Sequence, residues 1–120
     1  MSPRPPKKEL VALYLRYRSL INALKDFPNA TQVTEELEPL LITITQAWHE
    51  GAPLPVRKLL INEALGSPAT IHKRIHQLHE AGLVSLEAVA SDARIKLVVP
   101  AEQALRYLAE RGKAIKQAAS

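Results

Sequence analysis

Apolar residues recur along this chain at two spacings, and the change from one to the other divides it. From Lys7 to Phe27, Leu10, Leu13, Tyr14, Tyr17, Ile21 and Leu24 return every three or four positions, the period of one helical face. Val11, Leu15 and Leu20 add a second apolar flank, so this helix asks for a neighbour on each of two sides. Asp26-Phe27-Pro28-Asn29 ends it, through a proline and a turn-forming asparagine. A second helix carries Leu40, Leu41, Ile44, Ala47 and Trp48 as its inward stripe and stops at Gly51. Pro39 costs least in a first turn, which places the start near Pro39 with Thr34 to Leu37 as a separate turn. Two alternatives remain open: a start capped by Thr34, and a strand over Ile42-Thr43-Ile44-Thr45. Pro53-Leu54-Pro55 then reads as a short extended link.

The stretch from Val56 to Val84 organises the rest. A helix over Val56 to Leu65 would turn Leu59, Leu60 and Ala64 inward. Gly66 and Ser67 leave room only for a tight turn, so the next helix must cross it steeply, as in a helix-turn-helix. That next helix has two start signals: Ser67 as N-cap, and Pro68 at the first helical position, where no amide hydrogen is needed. It ends at Gly82. Beyond Gly82 the period drops to two. Val84, Leu86 and Ala88 share one face of a strand, Ile95, Leu97 and Val99 one face of another, with Ala90-Ser91-Asp92-Ala93 at the tip between them. A last helix, about Ala101 to Lys116, has Leu105, Leu108, Gly112 and Ile115 as a narrow seam suited to helix pairing, weakened by Gly112. The expected organisation is a loose basic tail (1–6, with three prolines), an N-terminal helical arm (7–28), a central domain (34–100) and a C-terminal helical arm (101–117).

Composition narrows the function classes. A chain of 120 residues, 47% hydrophobic and 23% charged, suits one globular domain with a real core. The absence of cysteine excludes disulfides and thiolate metal sites. No apolar run approaches a membrane span, and MSPRPPKKEL lacks the apolar region of a signal peptide, so the expected setting is cytoplasmic and bacterial, with no membrane partner. A net charge of +4 favours polyanions, but where the charge sits matters more than its size. Catalysis finds no support: there is no Gly-rich phosphate loop and no nucleophile elbow, and Glu35, Glu36 and Glu38 suit the positive end of a helix.

At 100° per residue, Ile71, Ile75 and Leu78 form the inward stripe of the helix after Ser67. Ala69, Lys73, His76, Gln77 and Glu80 lie opposite, flanked by Thr70 and His72. Small, hydrogen-bonding and cationic groups near a helix start suit insertion into a major groove. Ser67 and Thr70 can bond phosphates together with the free amides of that helix start. Arg74, beside the core stripe, can instead brace the preceding helix. Arg94 and Lys96 flank the hairpin tip, where they can lie along a minor groove or the backbone, and Lys58 and Lys96 are placed to meet phosphates. His72, His76 and His79, four and three apart, leave two readings: a metal pair, or polar contact with DNA and solvent.

The pattern ALG-S-x-x-T-I-x-K-x-I-x-x-L-x-x-A-G-L-V, with Thr70-Ile71, Lys73, Ile75, Leu78 and Gly82-Leu83-Val84 in register, resembles the helix-turn-helix core of bacterial winged-helix regulators. The following SDARIKLVVPAEQ resembles the wing and next helix of MarR-like repressors through Asp92, Arg94, Lys96, Leu97 and Val98. The resemblance spans roughly Leu41 to Leu108. It implies a mainly α, winged helix-turn-helix fold with a small antiparallel wing, extended by a helix at each end. It also implies sequence-specific binding of double-stranded DNA in transcriptional regulation, with no cofactor, while the surplus apolar stripes at Leu10 to Leu24 and Leu105 to Ile115 favour a homodimer through the terminal helices over a first helix folded back on its own domain. Lys73 stands where that family places an Arg or Lys, and Asp92 and Arg94 match its wing salt bridge. The doubled Arg usual in that wing is missing, which implies weaker minor-groove contact. Such proteins often hold an effector between dimer helices and DNA-binding lobe, but one helix at each end argues against such a pocket here. Two other roles stay open: a protein-interaction module, and an accessory in plasmid or phage replication or partition.

Overall fold

The computed structural model describes residues 7–25 and 33–120, so the expected tail at 1–6 and the helix end at Asp26–Asn29 lie outside the described residues. The chain forms two compact units, one of residues 32–105 and one that gathers the first helix with residues 106–120.

In the larger unit the order is α2 (Glu38–His49), α3 (Val56–Leu60), a 3-10 turn (Glu63–Leu65), α4 (Pro68–Glu80), and the hairpin β1 (Val84–Val89) and β2 (Asp92–Pro100). Helix α2 starts one residue before Pro39, after a turn in which the Leu37 and Glu38 amides bond the Thr34 carbonyl. Its inward stripe is Leu40, Leu41 and Ile44, and Ile42 stands 40% exposed on the helix rather than in a strand. Trp48, expected within that stripe, is 39% exposed. An indole in a last turn is too large to be covered completely.

The first helix of the motif is shorter than its apolar spacing predicts. It stops at Leu60, and Asn62 accepts a hydrogen bond from the Ala64 amide at 3.1 Å, opening the separate 3-10 turn. A side-chain acceptor that competes with the helix ladder is what asparagine supplies. Leu59 is therefore fully buried, while Ala64 is exposed and Ile61 stands 75% exposed. Gly66, at φ +122°, makes the turn into α4 with a backbone few other residues adopt.

Helix α4 closes in a Schellman motif: the Leu83 amide bonds the Leu78 carbonyl at 2.9 Å and the Gly82 amide bonds that of His79 at 3.0 Å, with Gly82 at φ +73°. β1 and β2 pair antiparallel, Val84 opposite Pro100 and Glu87 opposite Leu97, with an irregularity after Ala88 that sets Val89 opposite Asp92. The tip is thus Ala90-Ser91, and Asp92 and Ala93 already belong to β2. The extended link joins as a third, minimal strand: Pro55 bridges Leu97, and the Val98 amide bonds the Leu54 carbonyl at 2.9 Å. Only the base of the hairpin is covered. Val84, Val98 and Val99 are buried, whereas Leu86 and Ala88, expected on the inner face, are exposed because the distal half of a two-stranded ribbon has no layer beneath it. The core is Leu41, Ile44, Leu59, Ile71, Leu78, Leu83 and Val98, each essentially without solvent contact and each worth about 1.5–3 kcal/mol of burial.

The smaller unit holds α1 (Lys8–Leu24) and most of α5 (Glu102–Ala119). No residue of α1 is buried, and Leu10, Val11, Tyr14 and Leu15 are between 47% and 61% exposed. The Arg16 Nε donates to the Ala118 carbonyl at 3.2 Å, satisfying one of the last acceptors of α5. In α5 the buried positions are Ala104, Tyr107, Ala114 and Ala118, while Leu105 and Leu108 are half-buried and Gly112 and Ile115 exposed. The expected seam is therefore off by one position: Ala104, Ala114 and Ala118 are buried, as is the larger Tyr107. Arg111 stacks its guanidinium 3.8 Å from the centre of the Tyr107 ring.

Candidate nucleic-acid interface

Helix α4 is built to present one face and bury the other. Ile71 and Leu78 have no exposed surface and Ile75 has 5%, which fixes the rotation of the helix. Ala69, His72, Lys73, His76 and Gln77 then stand in solvent, with Thr70 half-buried beside them. The start is locked by Ser67, whose Oγ accepts from the Thr70 amide at 3.2 Å and donates to the Thr70 Oγ1 at 2.9 Å. The Ser67 hydroxyl proton is thus spent in the cap, and Thr70 keeps its own to donate. Arg74 is half-buried and donates to the Leu65 carbonyl at 3.4 Å, so it braces the turn rather than joining the outer face. His76 Nε2 lies 3.8 Å from Glu80 Oε1, both side chains 68% exposed, a pair that carries charge only with the imidazole protonated. Among the described residues no group of three or more His, Asp or Glu side chains is placed to hold a metal ion.

On the wing, Asp92 holds Arg94 with both carboxylate oxygens. Arg94 Nε and NH2 each donate at 3.1 Å, and the Arg94 amide donates to the same carboxylate at 3.1 Å. These bonds, and at longer range the charge of Arg57, hold the Asp92 carboxyl below its usual 3.8. The Arg94 side chain remains 91% exposed, so its far edge is presented to solvent in a set orientation. Lys96 is exposed on the same strand, opposite Ala88.

Charge in this unit is segregated rather than abundant. Residues 32–105 hold six Lys and Arg against nine Asp and Glu, yet all six cations lie on α3, α4 and β2. Four of the acids, Glu35, Glu36, Glu38 and Glu50, lie on or beside α2. Glu63, Glu80, Glu87 and Asp92 lie among those cations, so the α3–α4–wing elements keep only a small positive surplus, which still suits them to a polyanion better than the acidic α2.

No protein-family model and no curated protein sequence matches the chain. Solved structures do. A probable transcriptional regulator from Pseudomonas aeruginosa superposes with a TM-score of 0.52 at 24% identity, over 91% of this chain and 78% of that one. The transcriptional regulator SlyA gives 0.54 at 18% identity, over 94% and 78%. The PcaV transcriptional regulator from Streptomyces coelicolor, solved in complex with its natural ligand, gives 0.50 at 21%, over 98% and 80%. The chain has the fold of the MarR-like winged-helix regulators.

Of the sequence-predicted site residues, Ala69, Thr70, His72, Lys73, His76 and Gln77 share the outer side of α4, with Ser67 at its cap. Arg94 and Lys96 share the wing. One cation went unnoticed in the sequence. Arg57, in the first turn of α3, lines a cleft with Asp92, Arg94 and Lys96. The signal was the Pro55 link: pairing it with Leu97 would have carried Arg57 to the wing. Among the described residues no helix is long and apolar enough to cross a membrane.

Proposed function

We propose that this protein binds double-stranded DNA in a sequence-specific manner, as a homodimer, and regulates transcription from the cytoplasm. The observation that carries this reading is the outer side of α4: an N-capped helix that holds Ala69, His72, Lys73, His76 and Gln77 in solvent while Ile71, Ile75 and Leu78 anchor it. Small and polar groups near the start allow a major groove to approach, and Lys73, His76 and Gln77 supply donors for base edges. Thr70 serves a backbone phosphate at the helix start that Ser67 caps, and Arg94 and Lys96 extend contact to the flanking backbone. The solved structures with this fold are transcriptional regulators, which supports the same role.

The dimer reading rests on α1. Leu10, Tyr14 and Ile115, all more than half exposed, wall an apolar groove of about 370 Å³ with Leu13, Tyr17 and Ala118. A surface of this kind on a soluble chain calls for a partner, and a second copy of α1 and α5 supplies one of matching character. The reading requires no cofactor and no small-molecule effector. A protein-interaction role draws on Ile61 and Trp48, both exposed in the winged unit. The test is selection of bound duplexes from a random pool, followed by competition at two salt concentrations. Enrichment of one motif and a steep loss of affinity with salt support DNA reading. No enrichment and a flat salt response favour the protein-interaction role.

A further inference from the structure

The cleft between α3 and the wing encloses about 560 Å³ and is lined from one side by Arg57 and Leu60, from the other by Asp92, Arg94, Ile95 and Lys96. Three cations thus surround one carboxylate, and both oxygens of that carboxylate are engaged by Arg94. Neither Arg57 nor Lys96 has a hydrogen bond or ion pair within hydrogen-bond reach among the described residues. Two cationic side chains therefore line an open cleft from opposite walls with no hydrogen-bonded partner among the described residues. The walls are held by the backbone: Pro55 bridges Leu97, and the Val98 amide bonds Leu54, so α3 and the wing form one piece.

We propose that this cleft seats a phosphate of the DNA backbone, with Arg57 on α3 and Lys96 on the wing as its two cationic walls. The proposal deepens, and rests on, the reading that α4 binds duplex DNA. With a recognition helix in the major groove, the first helix of the motif crosses the adjoining backbone, which brings the start of α3 to the phosphates. Arg57 is then the anchor on that helix. Its neighbour Lys58, which the sequence alone would favour, does not line the cleft. Arg94 is tied to Asp92 and serves to shape the wing wall, leaving Arg57 and Lys96 to meet the phosphate. A planar guanidinium and a mobile ammonium on opposite sides suit a single tetrahedral anion. Contacts of this sort set the register of the protein on the duplex and carry no base information.

The experiment measures log K against log salt for the full chain, on a duplex selected from a random pool and on a scrambled one. Each phosphate contact contributes about 0.9 to the slope. Arg57→Gln is expected to flatten the slope by about one unit per bound protomer on both duplexes, leaving their affinity ratio unchanged. Arg57→Lys is expected to keep the slope, and Lys58→Gln to change it by clearly less than Arg57→Gln. An unchanged slope for Arg57→Gln while the native chain binds steeply overturns the seat and leaves DNA reading intact. An equal loss from Lys58→Gln also overturns it, because the effect is then a diffuse field rather than a site. Inorganic phosphate alone, titrated against the amide resonances of 92–96, separates the remaining source of anion. Arg57-dependent shifts with no change in the DNA slope identify a free-anion site and overturn the proposal. If the native chain binds neither duplex, the DNA reading and the seat fall together.

Discussion

The winged unit and the terminal-helix unit solve the problem of apolar surface in opposite ways. In the winged unit, side chains from α2, α3, α4 and both strands meet in a closed core, from Leu41 and Ile44 to Leu78 and Val98. In α1 nothing is buried, and Leu10, Val11, Tyr14 and Leu15 remain in solvent. The first unit covers most of its apolar stripes from within its own sequence, with Ile61 and Trp48 left exposed. The second has a helix apolar on two flanks, none of whose residues is buried among the described residues. The proposed roles follow this contrast, with DNA reading placed on the winged unit and the second copy on the uncovered helix α1.

That contrast can be broken by matched substitutions. Leu78→Ala, in a fully buried position, is expected to cost about 2–5 kcal/mol in denaturant unfolding, with no dependence on which oligomer is present. A loss below about 1 kcal/mol would mean the winged core is not the closed one described. Leu15→Glu, at a position 59% exposed, is expected to change the stability of the single chain by only about 0.5 kcal/mol or less. In sedimentation velocity the same variant should run as a monomer where the native chain runs as a dimer. A dimer that survives Leu15→Glu removes this flank of α1 from the interface, and a native monomer removes the dimer altogether.

The smallest effect sharpens the wing. The folded Asp92 carboxyl titrates below its usual 3.8, so its bonds to Arg94 contribute fully above that value and are lost as pH falls through the lowered one. Carbon-detected titration of Asp92, with the Arg94 amide as reporter, should show both moving together below pH 3.8. A midpoint at or above 3.8 would mean that the carboxylate does not hold Arg94 in solution.

Local signals were legible in the sequence, and tertiary ones were not. Ser67, Pro68 and Gly82 bound α4 because caps depend on a few neighbouring residues, and the 71–75–78 stripe set its rotation. The break at Ile61-Asn62 was hidden because apolar spacing through Leu65 allows a helix that one asparagine side chain interrupts. The seam of α5 was misplaced because Ala104, Ala114 and Ala118 add little to an apolar pattern weighted by size, yet small residues are what close contact requires. Leu86 and Ala88 alternate correctly but lie where no second layer covers the hairpin, which alternation cannot reveal. Among the candidate interface residues, the outward placement of the α4 positions followed from helix geometry alone. Arg57 needed the pairing of Pro55 with Leu97, a contact across more than forty residues.

Whether α4 is the reading element is decided most directly by competition titration of Lys73→Ala and His76→Ala against selected and scrambled duplexes at two salt concentrations. Lys73→Ala is expected to cost about 1–3 kcal/mol on the selected duplex and to bring the two affinities closer together. Lys96→Ala, run beside it, should weaken both duplexes alike and flatten the salt slope by at most about one unit per protomer, the contribution of the phosphate it shares with Arg57. If the ratio of selected to scrambled affinity is untouched by both Lys73→Ala and His76→Ala, α4 does not read the sequence.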